Sequence, residues 1–100
     1  MTISDVQKKG SLYYIFDSNG KKSGSLSSST GDLMGIGMDF IVLLKGSLYY
    51  TYDGKGKKIK SLSSSSGEFR NAAGNSFNLK KGNLIYSYDK NCRKTGSRSA

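Results

Sequence analysis

A spacing of 36 residues organises this sequence. The motif KGSLYY at residues 9–14 recurs at residues 45–50 and returns as KGNLIY at residues 81–86. The correspondence continues through Asp17, Asp53 and Asp89, and Ser-Leu-Ser at residues 25–27 recurs at residues 61–63. Because no insertion interrupts the register, we expect every unit to adopt the same backbone conformation.

The repeat divides the chain into units that need not coincide with its ends. We expect one domain over residues 1–100, since 100 residues support a single core. The units are residues 9–44, 45–80 and 81–100, the last completed by residues 1–8. Such a split favours a closed ring whose first strand completes the last unit. Open repeat arrays usually carry distinct capping units at their ends, and this sequence contains no evident capping unit.

Each unit contains a strand pattern rich in aromatic residues. Residues 12–17 alternate with a period of two, as do residues 48–53 and 84–89. Period-two alternation places successive side chains on opposite faces of a sheet. We expect the core on the alternate positions Leu12, Tyr14, Phe16, Leu48, Tyr50, Tyr52, Leu84, Tyr86 and Tyr88.

Turn signals and further strands surround this pattern. Asp-Ser-Asn-Gly at residues 17–20 and Asp-Gly-Lys-Gly at residues 53–56 predict hairpin turns. A second strand is expected over residues 21–28, 57–64 and 93–99. A third is expected over residues 40–45 and 76–81, with residues 2–8 as its first counterpart. Helix is expected at most as one turn over residues 32–38.

Three units of about three strands predict an all-β, pseudo-threefold closed repeat structure. A β-prism is the first choice. A trefoil-like barrel, or half of a six-bladed ring completed by a dimer, are the alternatives.

One segment of the third unit resembles a known family. The sequence FNLKKGNLIYSYDKN at residues 77–91 is similar to the strand and turn of bulb-type mannose-binding lectins, which are β-prisms of three similar units. With Asn83 and Ile85 aligned to the family's motif, Leu79, Lys81 and Ser87 occupy the positions of its Gln, Asp and Tyr. The resemblance therefore implies an architecture and not a mannose site. The Gly-hairpin-Asp pattern is also similar to bacterial WG repeats, without their Trp.

Composition limits the classes of function that this chain could have. The chain carries 16 Lys and Arg against 7 Asp and Glu, and this formal charge of +9 favours polyanionic partners. Histidine is absent, which removes the usual general base and the commonest metal ligand. The longest strongly apolar stretch, residues 40–44, is too short to span a bilayer, and residues 1–10 lack a signal-peptide core. We expect a cytoplasmic protein that is not an enzyme.

Three further features have a structural and a functional interpretation. Cys92 lies beside two cations that would lower its pKa, but it occupies a turn position that is glycine in the other units. Asp17, Asp53 and Asp89 would either hold a hard cation or stabilise turns. The serine runs at residues 25–30 and 61–66 are typical of loops and edge strands. We favour the structural interpretation of each, with no metal and no cofactor.

The basic residues are the strongest functional signal. The pairs that follow the hairpin turns, Lys21 with Lys22, Lys57 with Lys58, and Arg93 with Lys94, would gather at one pole of a threefold fold. Lys9, Lys45 and Lys81 would form a second belt. Tyr13 and Tyr49 alternate onto the face opposite the expected core, where exposed rings would stack on bases.

The first hypothesis is therefore a non-enzymatic binding module whose basic pole engages nucleic acid or another polyanion. The second is a carbohydrate-binding prism with one shallow glycan site in each unit. The third is a structural, assembly or inhibitor protein that acts through protein contacts, including a homo-oligomer.

Overall fold

The computed structural model describes residues 2–99, which form eleven β-strands in three antiparallel sheets. Sheet I contains β1 (Ile3–Lys9), β2 (Leu12–Asp17) and β3 (Lys22–Ser27), hydrogen-bonded in that order. Over residues 2–99 no helix is long and apolar enough to cross a membrane. The all-β prediction is confirmed.

Sheets II and III have four strands each, again in chain order. Sheet II contains β4 (Asp32–Ile36), β5 (Phe40–Lys45), β6 (Leu48–Asp53) and β7 (Lys58–Ser63). Sheet III contains β8 (Glu68–Ala73), β9 (Ser76–Lys81), β10 (Leu84–Asp89) and β11 (Lys94–Ser99). Short 3-10 turns at Ser28–Thr30 and Ser64–Ser66 connect one sheet to the next.

Strand pairing follows the same register in the three sheets. Gln7 pairs with Tyr14 in sheet I, as Leu43 pairs with Tyr50 in sheet II and Leu79 with Tyr86 in sheet III. The three strands predicted for each unit are present, close to their expected bounds.

The segment that was expected to make one helical turn is a strand instead. Residues 32–36 form β4, which pairs with β5 through Leu33 and Leu43, and β8 is its counterpart in sheet III. β4 pairs with β5 and β8 pairs with β9, which gives their backbone N–H and C=O groups hydrogen-bond partners that a single helical turn could not supply. This tertiary interaction overrides the weak local propensity of the segment. These first strands of sheets II and III were not predicted.

The closed pseudo-threefold arrangement is not confirmed. None of the three sheets in residues 2–99 closes on itself, and β1 pairs with β2 in sheet I instead of completing sheet III. The molecule extends over 39 × 27 × 18 Å. The sheets thus form an open stack, in which β1 contacts β4 and β4 contacts β8.

The core lies between the sheets in two clusters. We define the front face of sheet I as the face that carries Leu12, Tyr14 and Phe16, and the back face as the one that carries Tyr13 and Ile15; the faces of sheets II and III are named from the equivalent positions. In the first cluster the back of sheet I packs on the front of sheet II, where Ile41 and Leu43 lie.

The second cluster repeats this arrangement. It joins the back of sheet II, through Val42 and Tyr49, to the front of sheet III, through Leu79 and Tyr88. Two faces therefore remain uncovered by another sheet within residues 2–99: the front of sheet I and the back of sheet III.

The expected core was placed on the wrong face in the first two units. Tyr13 and Ile15 are buried, whereas Leu12, Tyr14 and Phe16 are only half-buried, and the same reversal holds in β6. In β10 the assignment is mixed, because Tyr88 is buried but Leu84 is exposed. Within residues 2–99 only the back face of sheet I packs on another sheet, whereas both faces of sheet II do, so the face with more aromatic residues is not the more buried one.

Hydrogen bonds join each sheet to a hairpin turn of the next sheet. The hydroxyl of Ser23 in β3 donates to the carbonyl oxygen of Gly54 in the next turn at 2.6 Å. One unit later, the hydroxyl of Thr51 donates to the carbonyl oxygen of Lys90 at 2.7 Å. At Gly24 a Cβ atom would lie 2.5 Å from the carbonyl carbon of Lys55, so the turn approaches β3 as closely as a glycine permits.

Candidate polyanion-binding face

The front of sheet I is an uncovered face with an unusual composition. Its positions Asp5 and Gln7 correspond to Ile41 and Leu43 in sheet II, which are fully buried beneath sheet I. Polar side chains thus replace apolar ones on the face that no sheet within residues 2–99 covers. The aromatic residues of β2 are not replaced by polar residues, so aromatic rings lie on an uncovered surface.

These residues line an open depression of about 460 Å³. Its lining consists of Gln7, Lys9, Tyr14, Phe16 and Lys22. The strand register accounts for the grouping, because Gln7 pairs with Tyr14 across β1 and β2, and Phe16 pairs with Lys22 across β2 and β3. Two ammonium groups therefore flank two aromatic rings on one face.

One of the two lysines rests on a ring. The Nζ atom of Lys22 lies 4.6 Å from the ring centroid of Tyr14, within the range of a cation–π interaction. Sheets II and III repeat the contact, at 5.3 Å between Lys58 and Tyr50 and at 4.5 Å between Lys94 and Tyr86. The contact orders the ammonium group beside the aromatic surface.

Acidic side chains do not neutralise the lysines of the depression. Within residues 2–99 the sole ion pair joins Lys90 to Asp39 at 2.7 Å. The nearby carboxylate of Asp5 accepts from the backbone N–H of Val6 at 2.9 Å and from the side-chain amide of Gln7 at 3.3 Å. The charges of Lys9 and Lys22 therefore remain available to a ligand.

The nine basic residues named from the sequence are all exposed. The structure brings Lys9, from the expected belt, together with Lys22, from the expected pole. Lys57 lies instead in a second depression of about 300 Å³ with Lys90 and the carboxylates of Asp39 and Asp53, where the charges are mixed. Lys45 donates to the carbonyl oxygen of Ser29 at 2.6 Å.

Tyr13 and Tyr49, which were expected to stack on bases, are 5% and 4% exposed. Their hydroxyls donate to the carbonyl oxygens of Gly31 and Gly67, and burial raises the pKa of Tyr49. Rings held in the core cannot stack on a ligand, so this expectation is wrong. In sheet I the half-buried rings are those of Tyr14 and Phe16, and the polar Asp5 and Gln7 on the adjacent strand were the signal that could have identified them.

The back of sheet III is the second uncovered face, and its β9 positions are polar. Ser76, Asn78 and Lys80 replace Phe40, Val42 and Leu44 of sheet II. A row of hydrogen bonds crosses this face, from Ser87 to Asn78 at 2.6 Å and from Asn78 to Asn71 at 2.9 Å. The two ends of the stack therefore carry polar substitutions, although the sequence showed no separate capping unit.

The three turn aspartates stabilise their turns. The Oδ1 atom of Asp53 accepts from the backbone N–H groups of Lys55 and Lys57 at 2.8 and 3.0 Å, and Asp17 and Asp89 make the equivalent pairs. Across residues 2–99 no group of three or more His, Cys, Asp or Glu side chains is placed to hold a metal ion.

The thiol of Cys92 is not activated by its basic neighbours. Burial raises its pKa, and this outweighs the lowering effect of the Thr51 hydrogen bond and of Lys60. Cys92 packs with the second core cluster and has φ = 61°, the left-handed conformation that Gly20 and Gly56 adopt in the other turns. Its side chain is thus structural in this environment.

The sequence matches no protein-family model and no curated protein.

Proposed function

We propose that the protein is a non-enzymatic binding module that engages single-stranded nucleic acid through the front of sheet I. The observation that carries the proposal is the depression in which Lys9 and Lys22 flank the rings of Tyr14 and Phe16. Proteins that bind single strands combine cations that contact phosphates with aromatic rings on which bases stack.

The charge of the chain supports the same function. A formal charge of +9, with one ion pair within residues 2–99, attracts polyanions over long range. Lys9 and Lys22 would contact phosphates while Tyr14 and Phe16 stack on neighbouring bases. Base identity would be read weakly, because Gln7 is the one amide side chain of the depression.

The proposal is tested by titrating a labelled oligothymidine with the protein between about 50 and 300 mM salt, with fluorescence anisotropy as the readout. Two phosphate contacts to a single strand give a slope of about −1.4 in log K against log salt. Affinity should fall about tenfold over this range. Replacing both contacts, in K9Q/K22Q, should bring the slope close to zero.

The repeat provides a control of equal charge. Lys81 and Lys94 are the equivalents of Lys9 and Lys22 in sheet III, whose front face is covered by sheet II. The K81Q/K94Q variant should retain the wild-type slope. Equal loss in both variants would make the charge a diffuse surface property and contradict a site on sheet I. Binding of neutral glycans without salt dependence would favour the carbohydrate-binding alternative.

A further inference from the structure

Two dipeptides in this sequence are of the kind that rearranges to a succinimide. Asn19–Gly20 is the one Asn-Gly pair, and Asp53–Gly54 is the one Asp-Gly pair. In such a pair the backbone nitrogen of the second residue attacks the side-chain carbonyl carbon of the first. Glycine favours this attack because it has no Cβ atom to crowd the nitrogen and leaves the backbone free to rotate. The two pairs differ in their surroundings.

The carboxyl group of Asp53 is engaged by other groups. Its Oδ1 atom accepts from the backbone N–H groups of Lys55 and Lys57. Gly54 is buried, and its carbonyl oxygen accepts from the hydroxyl of Ser23 at 2.6 Å. A carboxylate is also a poor electrophile, because its negative charge repels the attacking nitrogen. Asp53–Gly54 should therefore be stable in the folded chain.

Asn19 lies at the exposed end of the first hairpin turn, where Ser18 and Gly20 are exposed as well. The N–H of Asn19 donates to Oδ1 of Asp17 at 2.9 Å. The N–H of Gly20 donates to the carbonyl oxygen of Asp17 at 3.0 Å, and this bond must open before the nitrogen can react. Turn bonds exposed to water open at low free-energy cost, so the folded chain permits the reaction.

The third unit contains a natural control. Asn91 occupies the position of Asn19 and is also exposed. The N–H of Cys92 donates to the carbonyl oxygen of Asp89 at 2.9 Å, as that of Gly20 does to Asp17. Cys92 replaces the glycine, and its Cβ atom crowds the attacking nitrogen. Asn91 should therefore react far more slowly than Asn19.

We propose that Asn19 is a modification site at which the folded chain deamidates without an enzyme. The nitrogen of Gly20 gives up its proton to solvent base and forms a bond to Cγ of Asn19. The bond from Cγ to the amide nitrogen breaks, and this nitrogen takes up a proton and leaves as ammonia. Water then opens the succinimide at either carbonyl carbon, which gives aspartate or isoaspartate at position 19.

The product changes the first turn in two ways. A new carboxylate lowers the formal charge of the chain by one, close to Lys21 and Lys22 in the sequence. Isoaspartate also sends the main chain through Cβ, which lengthens the turn and disturbs the bonds from Asn19 and Lys21 to Asp17. The modification does not depend on nucleic-acid binding by the front of sheet I.

The test keeps the full chain in mildly alkaline buffer for several days and follows it by ion-exchange chromatography and peptide mass mapping. The peptide that contains Asn19 should gain the mass of one deamidation, and the intact chain should lose one positive charge. The peptide that contains Asn91 should keep its mass, and fragment spectra should show no isoaspartate at Asp53. N19K carries the residue that sheet II has at this position, Lys55, and should show no loss of charge.

C92G transfers the reactive pair to the third unit. Glycine occupies this position in the other two turns, so C92G should retain the circular dichroism of the wild type. Deamidation should then appear at Asn91. The proposal is overturned if Asn19 keeps its mass in the folded chain, even where it deamidates in urea, or if N19K loses charge as the wild type does. It is also overturned if Asn91 of the wild type reacts as fast as Asn19, or if C92G leaves Asn91 unreactive.

Discussion

The hydroxyl of Tyr49 donates a hydrogen bond of 2.9 Å to the carbonyl oxygen of Gly67, the residue that precedes β8. The hydroxyl of Tyr13 makes the equivalent bond, of 2.8 Å, to Gly31 just before β4. Each tyrosine thus fixes the point where the chain leaves one sheet and enters the next. The bond explains why a polar side chain occupies a core position in both units.

Removing the Tyr49 side chain should destabilise the fold strongly. Y49A should lower the free energy of unfolding by about 3–5 kcal/mol, because a buried aromatic ring is lost. Y49F should lower it by about 1–3 kcal/mol, since it leaves the Gly67 carbonyl oxygen without this partner. Urea denaturation measures both. The neighbouring Y50A is the control, with a loss of under about 2 kcal/mol because Tyr50 is half-buried. A larger loss in Y50A than in Y49A would contradict the face assignment.

A methyl group at Gly24 should separate the first two sheets. G24A would place a Cβ atom 2.5 Å from the backbone of Lys55, and we expect a loss of about 1–3 kcal/mol from the required movement. The repeat again gives the control, because Gly96 is the equivalent position in sheet III and has no atom within 4 Å of its Cβ site. The melting temperature of G96A should equal that of the wild type or lie slightly above it. Equal melting temperatures for G24A and wild type would exclude the close approach of the Lys55 turn.

The carboxylate of Asp53 should contribute measurably to its turn. D53A removes the acceptor of two backbone N–H groups, and we expect a loss of about 1–2 kcal/mol in urea denaturation. D53N keeps one side-chain oxygen in the same place and should recover most of that loss. If D53A and D53N were equally destabilised, charge and not the acceptor geometry would account for the role of Asp53.

The reactivity of Cys92 should be low at neutral pH. Its folded-state pKa is raised above the ordinary value of 9.0, so the protonated thiol predominates at pH 7 and the thiolate forms above pH 9. The rate of alkylation by iodoacetamide, measured from pH 7 to pH 10.5, should therefore reach half its maximum above pH 9. In urea the midpoint should move down toward that of a free cysteine. A midpoint below pH 8 in the folded protein would show that Arg93 and Lys94 activate the thiol.

Local patterns in the sequence predict the individual strands but not their assembly. The period-two alternation and the turns that begin with Asp locate β2, β6 and β10 because pairing and turn chemistry are local. The same alternation cannot say which face is buried, since Tyr13 and Tyr14 are both aromatic and the answer depends on which sheet packs on which. β4 is missed for the same reason, because its conformation comes from pairing with β5.

Comparison between units would have identified the candidate face more directly than composition did. Asp5 and Gln7 in place of Ile41 and Leu43 mark the front of sheet I as the uncovered face. Charge alone predicted a basic pole at the hairpin tips, but Lys57 lies there among carboxylates. The grouping of Lys9 with Lys22 depends on the register of three strands, which the order of residues along the chain does not reveal.

Stacking on Tyr14 is the central claim, and the affinity of the Y14A variant for oligothymidine at about 50 mM salt tests it most directly. Loss of one stacked base should weaken binding by about 1–3 kcal/mol, or roughly fivefold to 150-fold, while the equivalent Y50A in sheet II should bind as the wild type does. Equal affinities for Y14A and the wild type, or equal weakening in Y14A and Y50A, would contradict a binding site on the front of sheet I.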